Sequence, residues 1–272
     1  MTQGSFNSML IIGENINATI PRVKKMIIDH DADSLVEIAK KQEAAGAGII
    51  DLNVGTGEGT ADDEISDMKW LVGLLIDNVR CNFCIDSADT AVLKAGIEAG
   101  GKRVGLVNSV KATEGNIAEV MPLAAGNGLP LIALCMDEKG IPKDAATRLK
   151  ACEKILKGAE AHGIPFENLY FDPLVMPVST DISQGAITLE TLKGIKKNFP
   201  KTKTVLALSN ISFGLPRRTV INQAMAHMAQ YIGVDALLIN PLDSALMISV
   251  KAGETVMGRD RHCRKYSRAT RA

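Results

Sequence analysis

The chain reads as an α/β protein, a single parallel (β/α)8 TIM barrel, and three observations predict it. Short apolar runs alternate with longer amphipathic ones eight times along 272 residues, the count that closes a barrel of ordinary size. The apolar runs are continuous, as strands of a parallel sheet covered on both faces are. Asp and Asn gather where those runs end, and a barrel carries all such ends to one mouth. The competing arrangement, an open doubly wound sheet, finds no G-x-G-x-x-G after the first run and no linker dividing the chain. Residues 1–272 are therefore expected to form one barrel domain, with a basic C-terminal tail over 258–272.

The first strand is residues 9–13, with Glu14, Asn15 and Asn17 after it. The helix over 33–44 turns Leu35, Ile38, Ala39 and Ala44 to one face and Lys40, Lys41 and Glu43 elsewhere. The second strand, 48–54, carries Asp51 and Asn53 near its exit. The Gly-rich stretch 56–60 that follows is read as a loop, because Glu58 would repel a phosphate. A helix over 62–77 leads to the third strand, 82–86, which ends in Asp86-Ser87. A helix over 88–99 precedes the fourth strand, 104–107, which runs out in Asn108-Ser109 before a helix over 113–125. The fifth strand is 129–135 and the longest helix 143–162. The sixth strand, 168–171, gives way to Asp172-Pro173 and a long loop to 186, and loops of that length are often functional. A helix over 188–198 follows. The seventh strand, 204–208, breaks into Ser209-Asn210-Ile211-Ser212, then turns through Phe213-Gly214-Leu215-Pro216 into a helix over 219–232. The eighth strand, 235–239, ends in Asn240-Pro241, and a helix over 244–256 closes the set.

Composition bounds the partners. With a formal net charge of +0, no bulk field recruits nucleic acid or an anionic membrane. The basic tail (Arg259, Arg261, Arg264, Lys265, Arg268, Arg271) is read as a solvated or frayed terminus. No stretch approaches the ~20 apolar residues that span a bilayer, and the N-terminus lacks the basic start and apolar core of a signal peptide. Five scattered cysteines make no disulfide framework and fit a reducing cytoplasm. Cys81-Asn82-Phe83-Cys84 lacks the second pair that a tetrahedral zinc site needs, and Cys84 is read as a buried structural thiol.

The residues expected at the mouth limit its chemistry. Carboxylates accept hydrogen bonds and amides do both, so Asp and Asn suit the ring nitrogens and exocyclic amines of a heterocycle. His30, His162, His227 and His262 all fall away from the strand exits, which leaves a Ser-His-Asp triad without its histidine. Neither H-E-x-x-H nor P-loop spacing occurs. A Mg2+ site built from Asp51, Asp86 and Asp172 ranks second, because neutral amides interleave the acids.

LIIGENIN (10–17), DLNVG (51–55), CIDS (84–87), VNS (107–109), GIPKD (140–144), DPL (172–174) and LSNIS (208–212) recur in one order along most of the chain. That ordered set resembles the pterin-binding methyltransferase family, most of all the methyltetrahydrofolate:corrinoid (iron–sulfur) protein methyltransferases. The resemblance implies an enzyme moving a methyl group, in either direction, between the pterin nitrogen of methyltetrahydrofolate and the cobalt of a separate corrinoid (cobalamin) protein. It implies that Asp86, Asn108 and Asp172 hydrogen-bond the pterin ring. Asn210 would be the catalytic residue beside the methyl-bearing nitrogen, with Ser209 and Arg218 in the substrate site and no metal held by the chain. The pattern departs at Phe213, where a polar residue is expected. A corrinoid-binding D-x-H-x-x-G segment survives only as Asp260-Arg261-His262, since Lys265 stands where Gly is needed, so the corrinoid is expected on a partner. Dihydropteroate synthases share the barrel, but Ser209-Asn210-Ile211-Ser212 replaces their Ser-Arg-Lys stretch. A dihydropteroate synthase-like enzyme and a non-catalytic pterin-binding subunit of a corrinoid complex are the alternatives. A cytoplasmic homodimer is expected, with folate and a corrinoid protein as partners and neither nucleic acid nor membrane.

Overall fold

The computed structural model describes residues 9–271. The signal-peptide reading falls largely on residues 1–8, outside the described residues, as does Ala272 of the tail. Eight strands pair in sequential order and close into a barrel, and each recorded pairing is parallel. They are β1 Leu10–Asn17, β2 Ile49–Asn53, β3 Asn82–Asp86, β4 Val104–Lys111, β5 Leu131–Leu134, β6 Leu169–Asp172, β7 Lys203–Ala207 and β8 Ala236–Ile239. The helices are α1 Pro21–Ile28, α2 Ala32–Ala44, α3 Ala61–Ile76, α4 Thr90–Gly100, α5 Glu114–Gly126, α6 Ala145–Ala161, α7 Gln184–Asn198, α8 Arg218–Ile232, α9 Ser244–Val256 and α10 Arg264–Thr270.

Among the described residues, six of the ten helices start where a side chain takes a free backbone N–H group. Asp31, Asp89, Thr113, Asp144 and Asp243 each accept such a bond, and Thr60 with Asp63 forms a reciprocal capping box on α3. Their inner faces pack on the barrel's outer side, where Phe83, Ile85, Val107, Leu131 and Phe171 are fully buried.

Inside the barrel, one residue from every strand fills the centre: Ile12, Ile49, Cys84, Leu106, Ile132, Tyr170, Val205 and Ala236. This apolar plug fixes the site above it. Side chains on a strand return to the same side every second residue. The next inward positions toward the strand ends are thus Glu14, Asp51, Asp86, Asn108, Leu134, Asp172, Ala207 and Leu238. Five of those eight are acids or an amide, and they form a polar layer resting on an apolar floor. Cys84 belongs to that floor and is fully buried.

Several elements differ from the sequence reading. β1 and β4 each run four residues further than their apolar cores, so Glu14 and Asn108-Ser109 lie within strands. Register shifts between Gly13 and Ile16 and between Asn108 and Val110 accommodate these extensions. Gln42, fully buried on α2, supports the first of them by accepting a 3.0 Å bond from the Asn15 N–H. Gly13 leaves the room this needs, because a Cβ there would collide with Gln42 Oε1. α1 is an unanticipated helix, opened by Pro21. The tail is not frayed: Asp260 accepts from the backbone N–H of Lys265 (3.1 Å) and Tyr266 (2.9 Å), and α10 forms behind it. Among the described residues no helix is long and apolar enough to cross a membrane.

Candidate functional site

The polar layer splits into linked pairs. Asn53 Nδ2 donates to Asp86 Oδ2 at 3.0 Å, and Asn108 Nδ2 donates to Asp51 Oδ1 at 3.3 Å. Asp86 and Asn108 are Cα partners across β3 and β4. Asp51 is buried, and its Oδ2 has no hydrogen-bond partner. Burial, then the neighbouring charge of Asp86, raises the Asp51 carboxyl well above the usual range. Burial lifts Asp86 to about 6, while the Asn53 amide and Asp51 hold it down. Two carboxyls side by side cannot both ionise readily, so the pair tends to hold one proton between them.

Asp172 closes β6 and is also buried. Its Oδ1 accepts the Leu174 N–H at 2.8 Å, and Leu174 sits at φ 65°, an uncommon conformation for a bulky residue. The loop is held from beneath by Arg148, a fully buried arginine of α6. Its guanidinium donates to Pro142 O (3.0 Å), Pro173 O (2.7 Å), Leu174 O (2.8 Å) and Gln184 Oε1 (3.2 Å). Burial raises the Asp172 carboxyl to about 6, with the Leu174 N–H and the Arg148 charge opposing it.

On the opposite wall lies a cleft of ≈ 650 Å³. Glu14 and Asn17 from β1, Ser209 and Asn210 after β7, Phe213, Arg218, Asn222 and Asn240 line it. Ser209 and Asn210 belong to a 3-10 turn over Leu208–Ser212. Ser209 Oγ donates to Glu14 Oε2 at 2.8 Å. Arg218 ties the turn down, Nη2 to Ser209 O at 2.7 Å and Nε to Ser212 Oγ at 3.0 Å. Burial pushes the Glu14 carboxyl up to about 7; the Ser209 bond, the Arg218 charge and the Asn240 backbone oppose the rise. Asn15 Oδ1 and Asn222 Oδ1 are buried in the cleft wall without a protein partner. A buried acceptor left open is costly unless a ligand or water meets it.

The structure thus brings Ser209, Asn210 and Arg218 together on one wall, and Asp86 beside Asn108. Asp172 stands two strands beyond Asn108, through β5. Asp86, Asn108 and Asp172 do not themselves line the cleft; they share the inward layer with Glu14, Ala207 and Leu238, which do. Asn17 in the cleft is the Cα partner of Asn53, which donates to Asp86, and this joins the two regions across adjacent strand ends. Among the described residues no group of three His, Cys, Asp or Glu side chains is arranged to hold a metal ion. Of the three acids weighed for Mg2+, Asp51 accepts from the Asn108 amide, Asp86 from the Asn53 amide and Asp172 from the Leu174 N–H. Glu14, Arg148 and Asn222 gained no role from the sequence. Glu14 was within reach, because it follows Ile12 by two residues just as Asp51 follows Ile49 and Asp86 follows Cys84. Arg148 and Asn222 lie on helices in register with the buried faces, Arg148 with Ala151, Cys152 and Ile155 and Asn222 with Met225, Ala226 and Ala229, and that spacing is the signal that could have found them.

The family described as pterin binding enzyme matches residues 13–240. The chain is 34% identical over 266 residues to the methylcorrinoid:tetrahydrofolate methyltransferase of Eubacterium limosum, covering 97% of this chain and 96% of that one. It is 32% identical over 246 residues to the methionine synthase of Mycobacterium tuberculosis, covering 86% of this chain but 20% of that protein. Among solved structures, a dihydropteroate synthase of Yersinia pestis superposes with a TM-score of 0.73 over 93% of this chain and 95% of that chain. At 17% identity, that likeness is one of fold.

Proposed function

The chain belongs to the pterin-binding enzyme family, and we propose that it is a methyltransferase acting between methyltetrahydrofolate and the cobalt of a separate corrinoid protein. The observation that carries this is the 34% identity to the Eubacterium limosum enzyme across nearly the whole of both chains. A protein of that size is matched end to end, whereas the methionine synthase contributes only a fifth of its length. The reaction runs in either direction, since a catalyst lowers the barrier both ways.

Asp86 and Asp172 accept from the ring N–H and amino groups of the pterin, and Asn108, turned by Asp51, adds a donor or acceptor. Ser209 and Arg218 hold the turn that presents Asn210. A neutral tertiary amine is a poor leaving group, so a proton must reach the methyl-bearing nitrogen before or during transfer. The Asn210 carbonyl oxygen then accepts from that N–H, a bond strongest when the charge has developed. Around the polar mouth, Ile20, Ile141, Ile182, Phe213 and Leu242 expose apolar side chains on the loops that follow strands. Such a rim suits the docking of a protein that delivers cobalt to the mouth. Val220, Met228 and Tyr231 are exposed within one arc of α8, which favours a homodimer. All five cysteines are free, in keeping with a reducing cytoplasm.

The test mixes the protein with methyltetrahydrofolate and reduced corrinoid protein and follows the cobalt absorbance. Methyl transfer is expected, and Asn210→Ala should lower turnover about 10²-fold or more, well beyond its effect on folate affinity. Folate binding without any transfer would identify a non-catalytic subunit. Unimpaired turnover of the variant would remove Asn210 from the chemistry.

A further inference from the structure

We propose that Glu14 holds the proton exchanged with the methyl-bearing pterin nitrogen, giving it up when the methyl group leaves and taking it back when tetrahydrofolate is methylated. The inference rests on reading the cleft as the folate site. It adds the acid that an amide such as Asn210 cannot be, because an amide has no proton to lend at neutral pH.

The geometry ties Glu14 to the turn that carries Asn210. Glu14 occupies the first inward position above the apolar plug and lines the cleft with Asn210. Its Oε2 accepts from Ser209 Oγ at 2.8 Å, and Ser209 is the residue before Asn210. Arg218 fixes the Ser209 carbonyl at 2.7 Å, so carboxyl and amide are placed together by the same turn. The other charged groups of the cleft are Arg218 and Asp243. Arg218 has no proton to exchange near neutrality. Both Asp243 oxygens are engaged, Oδ1 by the Leu246 N–H at 3.0 Å and Oδ2 by Thr219 Oγ1 at 2.6 Å. No histidine lines the cleft. Among the residues lining the cleft, Glu14 is thus the acid left to serve a ligand, Asp86 and Asp172 being assigned to the ring N–H and amino groups. Burial places the Glu14 titration at about 7, where both forms are populated.

The atoms balance in both directions. When methyltetrahydrofolate is the donor, the electron pair of cobalt(I) forms the Co–C bond and the C–N bond pair returns to nitrogen. The nitrogen gains its proton from the Glu14 carboxyl, directly or through one water. When tetrahydrofolate is the acceptor, its nitrogen lone pair forms the C–N bond, the Co–C pair returns to cobalt, and the N–H proton passes to the Glu14 carboxylate.

The test uses Glu14→Gln, which keeps shape and hydrogen bonding but cannot ionise, and free cobalamin as the corrinoid probe. For the wild-type protein, transfer from methyltetrahydrofolate to reduced cobalamin should fall as pH rises through about 7, and transfer from methylcobalamin to tetrahydrofolate should rise through the same point. Glu14→Gln should bind methyltetrahydrofolate within about threefold of wild type by calorimetry, lose about 10²-fold in both rates and show neither ionisation. Ser209→Ala, which removes a bond favouring the carboxylate, should move the midpoint upward. Mirror-image profiles that survive in Glu14→Gln, or a midpoint unmoved by Ser209→Ala, would overturn the role of Glu14. Failure of the wild-type protein to bind methyltetrahydrofolate would instead sink the folate reading on which it rests.

Discussion

Asp172→Asn should stabilise the unliganded protein, and only above a particular pH. In the fold the Asp172 carboxyl titrates near about 6 rather than 3.8, chiefly because it is buried. At ~1.4 kcal/mol per pH unit, ionising it in the native state costs about 3 kcal/mol more than in the unfolded chain. The sign follows from proton counting. Between the two values the native state binds more protons than the unfolded one, so its stability is complete below about 3.8 and is lost as pH rises through about 6. Asparagine keeps an acceptor for the Leu174 N–H, now 2.8 Å from Oδ1, and removes the ionisation. Urea unfolding of both proteins between pH 4 and pH 8 measures the difference. The variant should gain up to about 3 kcal/mol at pH 8, a figure already net of the Arg148 attraction, and little near pH 4. Its affinity for methyltetrahydrofolate should fall over the same upper range. A gain independent of pH would refute the desolvation argument, and a loss at pH 8 would show that Arg148 outweighs burial.

Arg148→Met should be severely destabilising for a different reason. It leaves Pro142 O, Pro173 O and Gln184 Oε1 without the guanidinium, while Leu174 O keeps a 3.1 Å bond from Thr188 Oγ1. Orphaned buried acceptors cost about 1–3 kcal/mol each, so a net loss of about 3–5 kcal/mol is expected after crediting the removed desolvation of the charge. Hydrogen exchange should rise first at Leu174, and unchanged protection there would contradict the clamp. Asp86→Asn should raise the folate dissociation constant about 10-fold or more, the worth of one charge-assisted bond, while the fold survives. Calorimetry returning the wild-type constant would end its role as an anchor.

Much of the barrel was legible because each strand has an apolar centre. β3 and α9 fall on the residues the sequence reading assigned them, 82–86 and 244–256. The errors share one cause. Reading a strand as an apolar run ends it at the first polar residue, yet β1 and β4 continue through Glu14, Asn15 and Asn108. Those residues are half-buried at the strand exits, so their polarity does not end the ladder. What meets the buried long polar side chains was equally hidden. Gln42 and Arg148 fall in register with the apolar faces of their helices, yet their partners, the β1 bulge and the 173–174 loop, are distant in sequence, so spacing alone does not say what satisfies them. The tail helix depends on Asp260 alone turning back to meet two N–H groups, a contact that charge counting cannot anticipate.

The mouth also explains why an acid is tolerated at Asp51, where it has no cation and an unmet oxygen. If Asp51 were only structural, an asparagine would meet Asn108 as well and avoid the burial penalty. As an acid it can share a proton with the neighbouring Asp86, which an asparagine cannot, while its Oδ1 accepts from Asn108 at 3.3 Å. The pair then presents one negative charge to the cavity, where two would repel and none would leave a ring N–H unmatched. The apolar plug beneath supplies the low dielectric that forces this choice, since Cys84 and Ile49 exclude the water that would let both acids ionise. The floor residues at the strand centres therefore set the protonation of the layer two residues further on, and through it the hydrogen-bond pattern offered to a heterocycle.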